Sequence, residues 1–411
     1  MPELLAPAGN FEKMKAAILY GADAVYLSGY TFGMRAAADN FSVDEIREAV
    51  AYAHGRNVRV YLTVNVMPHE QQYIALRRYF TELQGIPLDA LIIADLGVLG
   101  LAKELLPNVQ IHISTQANVV SSAACRAYHA MGASRVVLAR ELTFEEIRKI
   151  REEAPKELEL EAFIHGSMCI SYSGRCLLSN FFTGRDANRG MCTQPCRWNY
   201  TLTEKYYEIT EEKRPDVPIP IVEREGETFF MSSRDTCMIE HIPALMESGI
   251  DSFKIEGRMK SAYYAAVVTN TYRMAMDAYS AGNYVYDSGW MRELESVSHR
   301  PYHTGFYFDE PTQVANTTDN PGYLRENAYL AAVVSYDEKT GMALMIQKNK
   351  FAAGDAVERL TPGKTGEEFV AGPMFDEYGV PIEAVPHPQM RFYMKMPLTV
   401  RAGDIIRAAT I

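Results

Sequence analysis

Eight short apolar segments alternate with helical segments between Glu3 and Glu256. The predicted strands are Glu3–Pro7, Ala24–Leu27, Val58–Val64, Ala90–Ala94, Val109–Ser114, Arg135–Ala139, Leu160–Ile164 and Ser252–Glu256. Strand and helix alternating at this spacing are typical of parallel βα units. Eight such units predict an α/β fold of the (β/α)8 TIM-like barrel type. An open doubly wound sheet is the alternative, but no Gly-x-Gly-x-x-Gly turn follows the first strand.

Four of the predicted strands begin with a similar short sequence placed directly after a helix end. These sequences are Gly21-Ala-Asp-Ala-Val, Leu88-Asp-Ala-Leu, Gly132-Ala-Ser-Arg-Val and Gly249-Ile-Asp-Ser-Phe. Glycine commonly ends a helix, and the aliphatic residues that follow favour a strand. The recurrence supports a barrel built from repeated units.

The chain divides into a barrel, a linker and a small C-terminal domain. We predict that residues 1–306 form the barrel, with a Cys-rich insertion (165–237) between strands seven and eight. The insertion carries a polar stretch, Glu204 to Glu227, that favours a flap or hairpin. Residues 307–325 form the predicted linker. Short strands separated by Gly and Pro turns predict a small β-barrel for residues 326–411.

Composition narrows the class of protein. The formal net charge is -11 and the sequence pI is about 5.4, so a general nucleic-acid coat protein is disfavoured while a local basic site remains open. No apolar run approaches the roughly 18 residues of a membrane span. The N-terminus lacks the basic start and apolar core of an export signal. We therefore expect a cytoplasmic protein with no membrane contact, whose cysteines stay reduced.

Four of the six cysteines form one array, Cys169-x6-Cys176-x15-Cys192-x3-Cys196. Four convergent thiolates bind a soft metal ion or an iron–sulfur cluster. Inert burial and structural zinc are the alternatives, but only the last pair has the spacing usual for zinc. Cys237 is a possible replacement for Cys196 as fourth ligand, or a packing residue. Cys125 lies in a helical pattern and is predicted to be buried and inert.

The same insertion is locally basic. Its arginines are Arg175, Arg185, Arg189 and Arg197, against the single acid Asp186. This surplus indicates an anionic partner, either RNA phosphates or a carboxylated small molecule. The alternative is that the arginines offset the charge of a thiolate-bound cluster or pair with carboxylates. The interleaved aromatic residues Phe181, Phe182, Trp198 and Tyr200 suit either base stacking or core packing.

Several sequence motifs closely resemble those of the peptidase family U32. They are Leu4-Leu-Ala-Pro-Ala-Gly-Asn10, Gly21-Ala-Asp-Ala-Val-Tyr26, Glu161-Ala-Phe-Ile-His-Gly-Ser-Met-Cys-Ile170, Asn188-Arg-Gly-Met-Cys-Thr-Gln-Pro-Cys-Arg197, Lys254-Ile-Glu-Gly-Arg-Met-Lys260 and Ser298-His-Arg-Pro-Tyr302. They span most of residues 1–306, and the tail resembles the C-terminal β-barrel of the family. The resemblance therefore extends over nearly the whole chain.

The family name implies a collagenase-like protease, a hydrolase. The chain is most similar to a branch of oxygen-independent hydroxylation proteins that carry a [4Fe-4S] cluster. The resemblance implies formation of 5-hydroxyuridine at the tRNA wobble position, with prephenate as oxygen donor. Alternative substrates implied by the family are an rRNA cytidine and a quinone precursor. It also implies Cys169, Cys176, Cys192 and Cys196 as cluster ligands, with Cys237 as an alternative fourth. The implied partners are tRNA and a paralogous U32 chain or a second copy.

Candidate catalytic residues lie where the predicted strands end, because barrel active sites are built at the C-terminal ends of the strands. The main candidates are His165, Lys254, Glu256 and Arg258; others arriving there are Asn65, Asp95, Gln116, Asn118, Arg140 and Glu141. Lys254 and Glu256 share one strand face and form either a pair in the mouth or a structural salt bridge. His165 is either a proton shuttle or an ordinary strand-end histidine.

A peptidase mechanism finds little support in the motifs. His69-Glu70 begins like a zinc-protease helix but lacks the second histidine, and no Gly-x-Ser-x-Gly turn is present. A pair of Cys169 with His165 is conceivable, but a nucleophilic thiol needs one cysteine whereas this segment has four. We expect an RNA hydroxylase, with peptidase activity as the alternative.

Overall fold

The computed structural model describes residues 1–34, 39–198, 208–211, 214–220, 222–224, 227–229, 233–308, 324 and 328–409, with backbone alone at 197 and from 208 to 229. Two compact units are present. The first comprises Met1–Met14, Asp23–Lys260 and His299–Tyr323, and the second Lys15–Ala22, Ser261–Ser298 and Leu324–Ile411. Within the described ranges, none of the helices has the length and apolar character that crossing a membrane requires.

The first unit contains a closed parallel barrel. Its first seven strands are β1 (Glu3–Pro7), β2 (Ala24–Ser28), β3 (Arg59–Val64), β4 (Ala90–Ile93), β5 (Gln110–Ile113), β6 (Arg135–Val137) and β7 (Glu159–Ser167). The insertion contributes β8 (Glu208–Glu211), β9 (Arg214–Pro220), β10 (Val222–Arg224), β11 (Glu227–Phe229) and β12 (Asp235–Cys237). The strands β13 (Ser252–Ile255) and β14 (Tyr302–His303) follow. Because β13 pairs in parallel with both β7 and β1, the predicted TIM-like barrel is confirmed.

Helices alternate with these strands along the chain. They are α1 (Phe11–Leu19), α2 (Val43–His54), α3 (Tyr73–Glu82), α4 (Leu96–Leu105), α5 (Ser122–Ala130), α6 (Phe144–Glu153), α7 (Leu178–Thr183) and α8 (Ile242–Met246). Asn10 accepts a hydrogen bond from the Lys13 amide at 2.9 Å, and Asp95 caps α4 through the Val98 amide at 3.0 Å. These caps fix where the helices begin, because they satisfy amides that have no partner within the helix.

The recurring strand starts have a structural role. Asp23, Asp89 and Asp251 each accept a hydrogen bond from the second backbone amide of a neighbouring strand. The three distances, to the amides of Leu4, Val60 and Leu160, are 2.8, 2.7 and 2.8 Å. Such charge-assisted bonds hold adjacent strand beginnings together. The repeated sequence therefore belongs to the N-terminal end of the barrel, away from the C-terminal ends that carry function.

A buried ionic network fills part of the barrel interior. Glu161 of β7 is fully buried and accepts hydrogen bonds from Lys254 at 2.6 Å and from Arg135 at 3.0 Å. Arg135 also donates to Glu3 at 2.6 Å. Burial acts to raise the pKa of Glu161, but the cations Lys254 and Arg135 outweigh it and hold this pKa below its usual range. The structure thus gives Lys254 the carboxylate of Glu161 as its ion-pair partner, where the sequence had indicated Glu256.

Two short strands that the sequence analysis did not predict extend the barrel sheet beyond β7. β12 pairs antiparallel with the end of β7, and β14 pairs in parallel with β12. With β12 as partner, β7 continues to Ser167, past its predicted end at Ile164. The polar stretch of the insertion forms the hairpins β8–β9 and β10–β11, which confirms the hairpin prediction.

The described residues of the second unit include α9 (Ala262–Ser280), α10 (Ser288–Glu295), the end of α1 and an antiparallel sheet. Its strands are β15 (Tyr329–Asp337), β16 (Met342–Gln347), β17 (Ala356–Leu360), β18 (Glu367–Val370), β19 (Met374–Asp376), β20 (Pro381–Ile382), β21 (Arg391–Lys395) and β22 (Ile405–Ala408). The sheet order β18-β17-β22-β15-β16-β21-β19-β20 gives a curled half-barrel. The predicted linker, 307–325, lies almost entirely outside the described residues.

Candidate active site

Polar side chains meet at the C-terminal ends of the barrel strands. Arg258, which follows β13, is buried and donates to the Thr63 hydroxyl of β3 at 3.3 Å. Asn65, just after β3, accepts from the Met34 amide and donates to Ser114, both at 3.3 Å. The bonds from Arg258 to Thr63 and from Asn65 to Ser114 join the ends of strands that are not neighbours in the sheet. They define a polar barrel mouth, the position where TIM barrels carry their active sites.

The Cys-rich segment, defined as residues 168–198, is fastened to this mouth at β5 and β6. Asn118 donates to the Ser173 carbonyl and accepts from the Arg175 guanidinium, both at 2.8 Å. Arg140 donates to the carbonyl of Ser167, directly before the segment, at 2.7 Å. The side chains that hold the segment therefore come from loops at the C-terminal ends of the strands.

A second attachment joins the segment to the loops after β2 and β3. The Met67 amide donates to the Asn188 carbonyl at 3.2 Å. Gly190 packs so closely that a Cβ there would lie 2.5 Å from the Gly33 carbonyl oxygen. With attachments after β2, β3, β5 and β6, the Cys-rich segment lies across the barrel mouth.

We expect Gly190→Ala to loosen the Cys-rich segment from the barrel. Gly190 has φ +90, and the added Cβ would meet backbone, which cannot move aside as a side chain can. Limited proteolysis should then cut the segment at least about tenfold faster. This corresponds to a decrease of roughly 1 kcal/mol or more in the free energy of local opening. Gly184→Ala is the matched control, because Gly184 has φ +68 but no neighbour within 4 Å of its added Cβ. Equal cleavage rates for the two variants would contradict the attachment.

Hydrogen bonds inside the segment bring its cysteine-bearing parts together. The Ser179 hydroxyl of α7 donates to the Met191 carbonyl at 3.3 Å and accepts from the Thr193 amide at 3.2 Å. Cys192 lies between these two residues, and Cys176 lies just before α7. The Trp198 indole donates to the Thr193 carbonyl at 2.9 Å, which ties down the short 3-10 turn, Pro195–Arg197, that carries Cys196.

The four cysteines of the array are not fully buried. Cys169, Cys176 and Cys196 are half-buried and Cys192 is exposed. By contrast, Cys125 is fully buried, and burial raises the pKa of its thiol to about 11, as expected of an inert packing residue. Cys237 is buried in β12, opposite His165 in the ladder with β7.

The donor chemistry of the array fits an iron–sulfur cluster, whose irons take thiolate ligands. No set of three or more His, Cys, Asp or Glu side chains in the described ranges is already grouped to hold a metal ion. A structural zinc ion would need four ligands drawn to about 2.0–2.3 Å from one centre. The described part of the chain thus contains sulfur donors suited to iron, but their side chains are not already arranged around one metal ion.

His165 lies at the end of β7 among aromatic rings. Burial, with smaller contributions from His299 and Lys260, lowers the pKa of His165 to about 3. The Tyr302 ring lies 5.3 Å from the His165 ring and stacks on His299 at 4.3 Å. His165 is therefore a neutral imidazole at physiological pH. As a depressed pKa requires, its neutral state contributes stability above the ordinary histidine pKa, and this contribution is lost as the pH falls towards 3.

The remaining predicted catalytic residue, Glu256, lies beside His165. Its amide donates to the His165 carbonyl at 2.8 Å, and Tyr26 donates to its carboxylate at 3.4 Å. Glu256 is half-buried at the mouth, whereas Lys254 belongs to the ionic network deeper in the barrel. The structure therefore brings His165, Glu256 and Arg258 to the mouth. Lys254 instead pairs with Glu161 inside the barrel.

Three arginines of the Cys-rich segment lack acidic partners among the described residues. No carboxylate of the described residues lies within ion-pair distance of Arg175, Arg185 or Arg189, and Arg197 is described by its backbone alone. The nearby Asp186 uses its side chain to accept from the Asn188 amide at 2.9 Å. These positive charges remain available to an anion.

Sequence reasoning missed two features of the site. His299 and Tyr302 stack beside His165, and the only signal was the motif Ser298-His-Arg-Pro-Tyr302. Glu161 was missed as the partner of Lys254, although an acid in the otherwise apolar stretch Leu160–Ile164 was a usable signal. A charge inside a predicted barrel strand requires a buried counter-charge.

Comparison with known proteins covers nearly the whole chain. The sequence model of peptidase family U32 matches residues 9–317, and that of the peptidase family U32 C-terminal domain matches residues 325–407. The tRNA hydroxylation protein P1 of Bacillus subtilis is 38% identical over 99% of this chain and 94% of its own. The 23S rRNA 5-hydroxycytidine C2501 synthase of Escherichia coli is 36% identical over 67% of this chain and 39% of its own. A collagenase of Porphyromonas gingivalis is 30% identical over 86% and 85% of the two chains.

Proposed function

Because the chain belongs to peptidase family U32, we propose that it is an enzyme that hydroxylates RNA. The observation that carries this proposal is the Cys-rich segment, which lies across a barrel mouth. It carries four cysteines that are not fully buried and three arginines without an acidic partner among the described residues. Relatives named for tRNA hydroxylation and for rRNA 5-hydroxycytidine synthesis support the same chemistry. Arginines without acidic partners suit a polyanionic substrate.

The more specific proposal is 5-hydroxyuridine formation at the wobble position of tRNA, in the cytoplasm, with prephenate as oxygen donor. In the net reaction an oxygen atom moves from the donor to the base, so the base loses two electrons and the donor gains them. The name of the Bacillus subtilis relative, similar over almost the full length of both chains, favours tRNA over rRNA. A second copy of the chain or a paralogous U32 chain is a further proposed partner.

We propose that Cys169, Cys176, Cys192 and Cys196 hold a [4Fe-4S] cluster, with Cys237 as the alternative fourth ligand. When bound, such a cluster supplies electron transfer or, if one iron is open, Lewis-acid chemistry. The residues themselves set its position: the bonds from Ser179 to Met191 and Thr193 hold Cys192 against α7. The accessibility of Cys196 favours it over Cys237, which is buried in β12.

Residues of the mouth have separate tasks in this proposal. Arg258 and Arg140 place guanidinium groups there, and guanidinium binds the carboxylates of a small donor in a fixed orientation. The Oε1 atom of Gln116, after β5, is buried and has no hydrogen-bond partner in the part of the chain that the structure describes, so it offers an acceptor at the same end of the barrel. The Cys-rich segment carries Arg175, Arg185 and Arg189, which bind phosphates of the RNA in this proposal.

The peptidase alternative requires His165 to act as a general base, and its buried environment does not suit that role. A cysteine peptidase needs an imidazole basic enough to activate its thiol. Burial lowers the pKa of His165 to about 3, so His165 is too weak a base to activate the Cys169 thiol. The family name and the collagenase relative are what remain in favour of that activity.

The proposed function is tested by mass spectrometry of nucleosides from a strain that lacks the gene. We expect 5-hydroxyuridine derivatives to disappear from tRNA and to return when the wild-type chain is supplied. Loss of 5-hydroxycytidine from rRNA instead would redirect the proposal to the other RNA. Unchanged nucleosides in both RNAs, together with gelatin cleavage by the purified protein, would replace the hydroxylase with a peptidase.

A further inference from the structure

The tip of the Cys-rich segment exposes aromatic rings to solvent. Phe181, in α7, is 83% exposed, and the neighbouring Phe182 is 45% exposed. The two rings contact each other edge to face with centroids 5.1 Å apart. Phe182 also packs against the Trp198 ring at 5.8 Å. Phe182 is thus supported from behind, while Phe181 presents most of its ring to the solvent.

An exposed arginine lies close to these rings in the sequence. Arg185 is the second residue after α7, and no carboxylate of the described residues lies within ion-pair distance of it. Its amide is held by the Thr183 hydroxyl at 3.3 Å, so the backbone that carries the guanidinium is fixed relative to α7. In a chain with 52 acidic and 41 basic side chains, this is a local reversal of the overall charge.

We propose that Phe181, Phe182 and Arg185 form a stacking platform for an unpaired base of the RNA substrate. Exposed aromatic rings interleaved with arginine suit single-stranded nucleic acid, since every base has a face to stack and a phosphate for the guanidinium. A base inside a duplex does not present its face, so the platform recognises a loop. This inference rests on the proposed RNA substrate and specifies which part of that RNA the segment contacts.

The rival occupant of an exposed aromatic patch is another protein. Aromatic rings and arginine also occur at the cores of protein interfaces, so the residue types alone do not decide between the two occupants. The guanidinium of Arg185 has no carboxylate within ion-pair distance among the described residues, and phosphates supply the matching negative charge. Charge complementarity therefore favours a polyanion over an apolar protein surface. A protein partner is one outcome of the experiment below.

The experiment measures binding by fluorescence anisotropy with the full-length protein. The probes are a labelled anticodon stem-loop RNA and a duplex RNA of equal length. We expect Phe181→Ala to weaken stem-loop binding about tenfold, the usual effect of losing one stacked base, and to leave duplex binding unchanged. Phe181→Trp should keep the wild-type affinity. Arg185→Gln should reduce the slope of the logarithm of the binding constant against the logarithm of salt concentration by about one.

The matched control is Tyr378→Ala, because Tyr378 is also 83% exposed but belongs to the second unit. Equal losses from Phe181→Ala and Tyr378→Ala would overturn the platform. So would a Phe181→Ala variant that loses self-association while its RNA affinity stays unchanged, which would identify a protein interface. If wild-type protein restores hydroxylated nucleosides but Phe181→Ala binds the stem-loop normally, the platform fails and the proposed function stands. If wild-type protein binds neither RNA and no nucleoside changes, both fail.

Discussion

Replacement of Cys176 by alanine is expected to abolish the visible absorption of the anaerobically purified protein and its activity on RNA. The wild-type chain should be brown and contain roughly four irons, as a [4Fe-4S] cluster requires. Removing one of four thiolates leaves an iron without its ligand, so the cluster is lost rather than weakened. Iron and sulfide assays, together with an absorption spectrum, measure the result directly.

Cys125→Ala is the control for this experiment. Cys125 is fully buried and its thiol has a raised pKa of about 11, so it is not placed to bind iron, and the variant should retain wild-type colour. Comparing Cys196→Ala with Cys237→Ala identifies the fourth ligand, because only the variant that lacks it should lose iron. A colourless wild-type protein with one tightly bound zinc would remove the cluster from the proposal.

Glu161→Ala is expected to lower the free energy of unfolding by about 3–5 kcal/mol, the usual cost of leaving buried charges without their partner. Lys254 and Arg135 both donate to this fully buried carboxylate, and both cations are themselves buried. The measurement is urea denaturation of the wild-type and variant proteins. Glu159→Ala is the matched control, since Glu159 also pairs with Arg135 but its side chain is 43% exposed. It should cost less than about 1 kcal/mol.

The stability that Glu161 contributes depends on pH. Its pKa is lowered in the folded protein, because the attraction of Lys254 and Arg135 outweighs the effect of burial. A lowered pKa stabilises the folded state above the ordinary glutamate pKa of about 4.3, and this stabilisation is lost as the pH falls through the folded pKa. The gap in stability between wild type and Glu161→Ala should therefore narrow in acid. A gap that is constant from neutral to acidic pH would argue against the ion pair.

The barrel could be predicted from the sequence because the signals for its strands and helices are local. Apolar strands, helix-ending glycines and capping residues act over a few positions. All eight predicted barrel strands begin within one residue of the observed start, and seven of them end within two residues of the observed end. The strand starts that contain Asp23, Asp89 and Asp251 gave a repeated pattern, but its cause, a bond to the neighbouring strand, required the fold.

The site could be predicted only in part, because some of its contacts join residues that are far apart in the sequence. The cysteine array and the arginine surplus are visible in one short segment, so they could be named from the sequence. The partner of Lys254 is Glu161, 93 positions away, and the ring that stacks on His299 beside His165 belongs to a strand absent from the prediction. β12 and β14 are three and two residues long, too short to carry a strand pattern of their own.

The pairing of β12 with the end of β7 has a consequence for how such proteins diversify. Asp235 lies opposite Ser167, so the insertion leaves the barrel and returns to it at almost the same place. A loop whose two ends are fixed together tolerates changes of length and content, because closing a longer loop costs little extra entropy. The hairpins between them are thus free to be exchanged during evolution. Exchanging the hairpins can change which substrates are bound, while the eight-stranded barrel keeps its strand register.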